Sequence, residues 1–88
     1  MTQEEILEEL ETIIKHQNIH LRYEKGDFSG GYCILKQQRT IIINKKFSLP
    51  KKLSILARGL MEIGIEDTFI RPAVREFIED EIAKLNKK

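Results

Sequence analysis

The spacing of apolar residues changes twice along the chain, and this limits the fold more than any other property of the sequence. Up to about His16, apolar residues recur at steps of three and four, as they do on one face of a helix. From Ile19 to Ile43 they alternate with polar residues or form short β-branched runs, which is typical of strands. From Leu49 onward the helical spacing returns. The sequence therefore predicts helices packed on one small sheet.

Three helices are predicted, each with a recognisable start. Thr2 and Glu5 have the spacing of a capping box at the first start. Ser48 is expected to cap the second helix, with Pro50 in its first turn, and Gly64 is expected to end it. The third helix begins at Pro72, after a connector over residues 65–70.

Three strands are predicted between the first two helices, over residues 19–24, 32–35 and 40–43. Residues 36–39 are expected to join the last two strands as a hairpin, and residues 25–27 carry a turn signal. Three successive isoleucines predict that the third strand lies in the middle of the sheet or is covered on both faces. Gly30 and Gly31 indicate a bulge or a place where another backbone or a ligand comes close.

The order α-β-β-β-α-α predicts a fold of the α+β class, with a small antiparallel sheet and helices packed on one of its faces. The length of 88 residues, with neither a linker nor an internal repeat, predicts a single domain over residues 1–88. No apolar run approaches the roughly 20 residues that span a bilayer, so no membrane association is expected. The single cysteine, Cys33, and the acidic start of the chain favour a cytoplasmic location.

A net charge of +1 conceals a strong separation of charge along the chain. Residues 1–14 carry five acids and no base, residues 15–58 carry ten bases and two acids, and residues 59–88 carry five bases and seven acids. The basic middle includes six cations in the hairpin and in the entry to the second helix, namely Lys36, Arg39, Lys45, Lys46, Lys51 and Lys52. If these side chains gather on one edge, they form a contact site for phosphates.

The sequence does not contain the common motifs of catalytic or metal-binding sites. His16 and His20 fall on either side of a helix end, and Cys33 has no partner thiol, so no metal site and no cofactor are expected. There is neither a Gly-x-Ser-x-Gly elbow nor a glycine-rich phosphate loop before a helix. The carboxylates of residues 79–81 are expected to form a solvated face of the last helix.

Residues 31–62 carry a resemblance to a known family. A short β-hairpin leads to the strand Ile-Ile-Ile-Asn at residues 41–44, and a helix with Leu-Ala-Arg-Gly-Leu-Met-Glu at residues 56–62 follows. This order resembles the core of the small zincin metallopeptidases. In that family an Ile-x-Ile-Asn strand precedes a helix reading Leu-Ala-His-Glu-Leu-x-His, whose histidines bind zinc and whose glutamate activates water.

The resemblance places Arg58, Gly59 and Glu62 at the positions of the first histidine, the glutamate and the second histidine. Arg58 is a permanent cation that repels a metal, and Gly59 has no side chain that could act as a base. Glu62 alone does not hold zinc. The resemblance therefore implies a zincin-like domain that has lost its metal and its peptidase activity. Because glycine inside a helix costs about 1 kcal/mol relative to alanine, Gly59 is expected to be packed closely against another element.

We expect a non-enzymatic interaction module or self-associating subunit, with a protein partner or a second copy as its ligand. Gly30, Gly31 and Tyr32 are the predicted strand edge that could accept an extended peptide. The alternative is a nucleic-acid-binding protein that uses the six cations between residues 36 and 52. A third reading is an enzyme that uses Glu62 with Arg58 in an unfamiliar reaction, although their four-residue spacing more simply suggests an ion pair.

Overall fold

The computed structural model describes residues 1–65 and 67–85. The elements follow the predicted order and are α1 (Gln3–His16), β1 (His20–Glu24), β2 (Gly30–Leu35), β3 (Gln38–Asn44), α2 (Leu49–Ile63) and α3 (Pro72–Leu85). The α+β class is confirmed, with α1 and α2 packed on one face of a three-stranded sheet and α3 packed on these two helices. In the predicted connector, residue 66 lies outside the described residues. Among the described helices, none is both long and apolar enough to cross a membrane.

The first helix begins as its sequence predicts. The Thr2 hydroxyl accepts a hydrogen bond from the Glu5 backbone N–H at 3.1 Å, and the Thr2 backbone N–H donates to the Glu5 carboxylate at 2.8 Å. This exchange satisfies two backbone donors that a helix start otherwise leaves open. The apolar face of α1 buries Leu10, Ile13 and Ile14 in the common core.

The sheet has the strand order β1-β3-β2, and it is mixed. β2 and β3 are antiparallel, but β1 runs parallel to β3, with His20 opposite Thr40 and Glu24 opposite Asn44. The expectation of a wholly antiparallel sheet is therefore wrong. The expectation that the third strand lies in the middle is confirmed, since β3 pairs on both sides.

The side chain of Asn44 contacts the connection between β1 and β2, which lie on opposite sides of β3. Asn44 is buried at the end of β3, and its Nδ2 donates to the carbonyls of Gly26 at 2.7 Å and Phe28 at 2.9 Å. Its Oδ1 accepts from the Lys46 backbone N–H at 3.0 Å. These bonds hold the β1–β2 connection across the end of the central strand, so this connection is a crossover and not a hairpin turn.

The two faces of the sheet differ sharply. Ile41 and Ile43 of β3 are fully buried against the helices, whereas Ile42 points to the opposite face, where it lines a shallow depression with Arg22, Glu24 and Phe28. Residues from all three helices join the two buried isoleucines in one hydrophobic core. The opposite face carries no helix among the described residues.

α2 supplies more of the core than either of the other helices, and its Leu53, Leu56 and Leu60 are fully buried. Ser48 occupies the N-cap position, as predicted, but its side chain makes no capping hydrogen bond. The prediction that this side chain caps the helix is therefore wrong. Gly64 ends the helix at φ 101°, a value that favours glycine, although its ψ of 136° leads into extended chain.

Candidate functional site

A cleft of about 330 Å³ lies between the outer edge of β2 and one face of α2. It brings together two groups of residues that the sequence indicated separately, the edge residues Gly30, Gly31 and Tyr32 and the helix positions Arg58, Gly59 and Glu62. The remaining lining residues are Ser29, Lys51 and Ile55. The strand therefore forms one wall of the cleft and the helix the other.

The strand wall is a free sheet edge. β2 pairs with β3 along one side, and within the described part of the chain no strand pairs with its other side. On a free edge, every second residue directs its backbone N–H and C=O away from the sheet, where they can pair with another extended chain. The cleft thus begins at backbone groups that can form hydrogen bonds with a ligand backbone.

Two glycines stand at the start of this edge, and they differ in what surrounds them. Gly30 has φ 89°, and a Cβ atom there would lie 2.3 Å from the carbonyl oxygen of Ile42, so only glycine fits. This confirms the expected close approach of two backbones. Gly31 has φ 134°, and a Cβ there would meet nothing within 4 Å, so the space beside it is open.

The helix wall approaches the sheet closely because Gly59 has no side chain. Gly59 is buried, and a Cβ atom at this position would lie 2.9 Å from Cδ1 of Ile41 and 3.9 Å from Cβ of Tyr32. The expectation that Gly59 is packed against another element is confirmed. Because Gly59 has no side chain, the cleft extends down to the backbone of α2 beneath Tyr32.

Three charged side chains line the helix wall, with two cations toward the start of α2 and one anion toward its end. Lys51 lies near the first turn, where its Nζ is 5.1 Å from the centre of the Phe47 ring, Arg58 follows two turns later, and Glu62 lies one turn further on. None of the salt bridges among the described residues involves these side chains. The predicted ion pair between Arg58 and Glu62 is therefore wrong, and Glu62 carries its charge at the cleft, whereas the charge of Arg58 acts both there and on Glu81 of α3.

The lining does not resemble a metal centre. Glu62 is the one carboxylate among the lining residues, and the described residues contain no group of three or more histidine, cysteine, aspartate or glutamate side chains that could hold a metal ion. His16 ends α1, His20 begins β1, and Cys33 lies half-buried on β2. The lining offers backbone hydrogen bonds, one apolar side chain and three charges, which is a set suited to binding.

The six cations predicted to contact phosphates do not form one surface. Lys36 and Arg39 lie at the hairpin end of β3, where Nη2 of Arg39 donates to the Gln17 carbonyl at 2.6 Å. Lys45 and Lys46 follow the other end of β3, about 20 Å away along a seven-residue strand, close to where α2 begins with Lys51 and Lys52.

A residue missed by the sequence reasoning joins this second group. The Lys45 backbone N–H donates to the Glu24 carbonyl at 2.9 Å, which brings Lys25 to the same end of the sheet. We call the resulting group the lysine end, and it consists of Lys25, Lys45, Lys46, Lys51 and Lys52. Only the parallel pairing of β1 with β3 brings Lys25 there, and no spacing in the sequence indicates it.

The groups with shifted pKa values among the described residues, Glu5, Tyr23, Glu81 and Lys84, all lie outside the cleft lining. Burial raises the pKa of the Tyr23 hydroxyl, and a hydrogen bond to Glu11 together with the charge of that carboxylate raises it further. Burial also opposes ionisation of Glu81, but hydrogen bonds from Lys84 and Ser54 and the charges of Lys84 and Arg58 outweigh it and lower the pKa of Glu81. Glu81 is only 8 % exposed, so the predicted solvated face at residues 79–81 is wrong at this residue.

No family model, no curated protein and no solved structure matches the chain. The resemblance to zincins thus rests on the residues of the sequence alone and stays a prediction.

Proposed function

We propose that this protein is a non-enzymatic interaction module that binds an extended segment of a protein by adding it as a strand to the free edge of β2. The observation that carries this proposal is the free edge running beside a cleft whose other wall presents charged side chains. In strand addition, main-chain hydrogen bonds provide affinity and pockets for alternate side chains provide specificity.

The charges on α2 suggest which segments bind best. Lys51 and Arg58 attract a carboxylate, while Glu62 attracts a cation, so an acidic side chain is favoured in the part of the cleft near the start of α2. These side chains are at the rim of the site and partly solvated, so they contribute mainly to selectivity and to the rate of association.

The absence of enzymatic activity belongs to the same proposal. Arg58, Gly59 and Glu62 occupy the three positions at which a zincin carries its ligands and its base, and none of them supplies that chemistry. We propose a zincin-like domain that has exchanged catalysis for binding, working in the cytoplasm. Stoichiometric zinc in the purified protein, together with proteolysis that a chelator abolishes, would contradict this part.

The binding proposal is tested with two synthetic peptides, Thr-Val-Glu-Val-Thr-Val and its counterpart with lysine in place of glutamate. In amide NMR spectra of the labelled protein, the glutamate peptide is expected to shift the signals of residues 29–35 and 51–62. Lys51→Glu should reverse the preference to the lysine peptide, whereas Lys15→Glu, on the exposed end of α1, should not. With the protein at a concentration at which it is a monomer, absence of shifts at millimolar peptide, or shifts confined to other residues, would overturn the proposal.

The lysine end supports a second candidate function, the binding of nucleic acid through its phosphates. Five lysines lie where β1 and β3 end and α2 begins, and the first turn of α2 carries no acid to neutralise them. The first turn of a helix is also electropositive because its backbone N–H groups are not all bonded.

Fluorescence anisotropy with single-stranded RNA at about 50 and about 200 mM salt tests this candidate. Binding is expected to weaken strongly at the higher salt concentration, and the variant Lys45→Gln/Lys46→Gln should bind less at both. The matched variant Lys36→Gln/Arg39→Gln, at the opposite end of β3, should bind like the wild type. No retention at micromolar protein and low salt would remove this candidate.

A further inference from the structure

Resting on the proposed function, we infer that the strand bound at the β2 edge is β2 of a second copy of this chain, related to the first by a two-fold axis through Tyr32. The resulting dimer would have one continuous six-stranded sheet. Two identical edges can pair in this way because an antiparallel arrangement presents the same surface from both partners.

The orientation of side chains fixes which residues can meet. Residues directly opposite each other in an antiparallel pair point to the same face of the sheet. An axis at Tyr32 places Gly30 opposite the second copy's Ile34, and both positions lie on the helix side, as their partners on β3 show. It also places Gly31 opposite the second copy's Cys33, on the other face.

Ile34 is the apolar side chain that this arrangement would cover. It is 65 % exposed in the single chain, although it follows the half-buried residues Tyr32 and Cys33 on β2. Opposite Gly30 of the other copy, it would enter a cleft whose floor includes Ile55 and Gly59. Because the arrangement is symmetric, the burial occurs twice, and each cleft is filled by the other copy's isoleucine.

The charges of α2 are complementary to themselves under the same rotation. Gly59 lies beneath Tyr32, so the axis passes close to the middle of the segment from Arg58 to Glu62. Rotation about it brings Arg58 toward the second copy's Glu62, and Glu62 toward the second copy's Arg58. These two charges make no salt bridge within the described residues of one chain. In the dimer Glu62 gains a partner of opposite sign, and Arg58, whose charge already acts on Glu81, gains a second one.

Sedimentation velocity from low micromolar to several hundred micromolar protein tests the inference. The wild type should sediment at twice the mass of the 10.3 kDa chain at high concentration. Arg58→Glu and Glu62→Arg should each weaken dimerisation at least tenfold, because each creates two repulsive contacts. An equimolar mixture of the two variants should recover dimers, since both contacts are then attractive. Lys15→Glu should dimerise like the wild type.

The possible outcomes separate this inference from the proposed function. A wild type that remains a monomer at several hundred micromolar, while the glutamate peptide still shifts residues 29–35, would overturn the inference and leave the proposed function intact. Dimers that do not respond to the charge exchange would also overturn it, because another surface would then be responsible. If the wild type is a monomer and neither peptide binds, both proposals fail.

Discussion

Gly59 is a residue at which two physical effects oppose each other. Alanine in a helix is favoured over glycine by about 1 kcal/mol, but a methyl group at this position meets Cδ1 of Ile41 at 2.9 Å in a filled core. Overpacking of this kind costs about 1–3 kcal/mol. Gly59→Ala should therefore lower the free energy of unfolding by about 1 kcal/mol, as measured by urea denaturation.

The control is the same substitution in an Ile41→Val background. Valine lacks the Cδ1 atom, so Gly59→Ala should become neutral or stabilising there, gaining up to about 1 kcal/mol from helix propensity. An equal effect of Gly59→Ala in both backgrounds would show that contact with Ile41 is not the reason for the glycine.

Glu81 links the stability of the α2–α3 packing to pH. Its pKa is lowered below the ordinary value of 4.5, so its charged form stabilises the fold above that pH, and the contribution is lost as the pH falls through the folded-state value. Glu81→Gln removes the charge that accepts from Nζ of Lys84 at 2.7 Å. At neutral pH it should cost about 1 kcal/mol.

The cost of Glu81→Gln should shrink as the pH is lowered below 4.5, and the variant and the wild type should unfold at similar urea concentrations once Glu81 is protonated in the folded state as well. Glu76→Gln, at an exposed position of the same helix, should have little effect at either pH. A cost that does not change with pH would mean that Glu81 acts through its shape and not its charge.

Glu81 also shows why one prediction from the sequence was wrong. The sequence predicts that Glu81 lies with Glu79 and Asp80 on the solvated outer face of the last helix. Its position nevertheless continues the buried stripe of Val74 and Ile78 at steps of four and three, and this periodicity placed it correctly. Residue type and spacing disagreed, and the structure follows the spacing because Lys84 and Ser54 satisfy the carboxylate.

At the scale of elements, the crossover between β1 and β2 depends on Asn44. Asn44→Ala removes three hydrogen bonds and leaves two backbone carbonyls without their donor, so it should lower the free energy of unfolding by about 2–3 kcal/mol. Asn44→Asp should be worse at neutral pH, because its carboxylate would face the carbonyls of Gly26 and Phe28.

Urea denaturation measures both Asn44 variants, and hydrogen exchange of residues 25–29 should accelerate in each. Gln38→Ala, at the exposed start of the same strand, should change stability by no more than about 0.5 kcal/mol. If Asn44→Asp were as stable as the wild type, the amide donor would not be what holds the crossover.

The elements themselves could be predicted from the sequence, but their pairing could not. Helical periodicity located α1, α2 and α3, and alternation located the strands, because both patterns follow directly from which side chains are buried. The alternation of apolar and polar residues shows which side chains share a face of the sheet, but it does not show which strands are neighbours. The choice between a hairpin and a crossover depends on the bonds of Asn44, a single side chain at a distance of about sixteen to eighteen residues.

The candidate site shows the same limit. The spacing of Lys51, Ile55, Arg58 and Glu62 at steps of four, three and four already places them on one face of a helix. That this face borders Gly30 and Gly31 depends on β2 being an edge, which required the sheet order. The sequence therefore indicated both walls of the cleft without showing that they meet.

At the scale of the whole molecule, like charges are concentrated in two places, the lysine end and the acidic first helix. The described residues form only three salt bridges, and we expect repulsion within each group to outweigh attraction at low ionic strength. Raising the salt concentration to about 0.15 M screens charges beyond about 8 Å and should raise the melting temperature by about 3 °C.

Thermal circular dichroism at low micromolar protein measures this effect. Lys46→Gln should raise the melting temperature at low salt and reduce its dependence on salt, because it removes one of the crowded cations. A melting temperature that falls on adding salt would show that attractive ion pairs dominate.

The central position of β3 also determines what a partly unfolded molecule exposes. β2 and β3 are joined by the two-residue turn at Lys36 and Gln37, so this hairpin closes locally, whereas β1 reaches β3 only across a separation of twenty residues. β1 is therefore the strand that detaches most readily. Its loss would leave β3 with an open edge containing Ile41, Ile42 and Ile43, a β-branched run with neither charge nor proline, which is the kind of segment from which ordered aggregates grow.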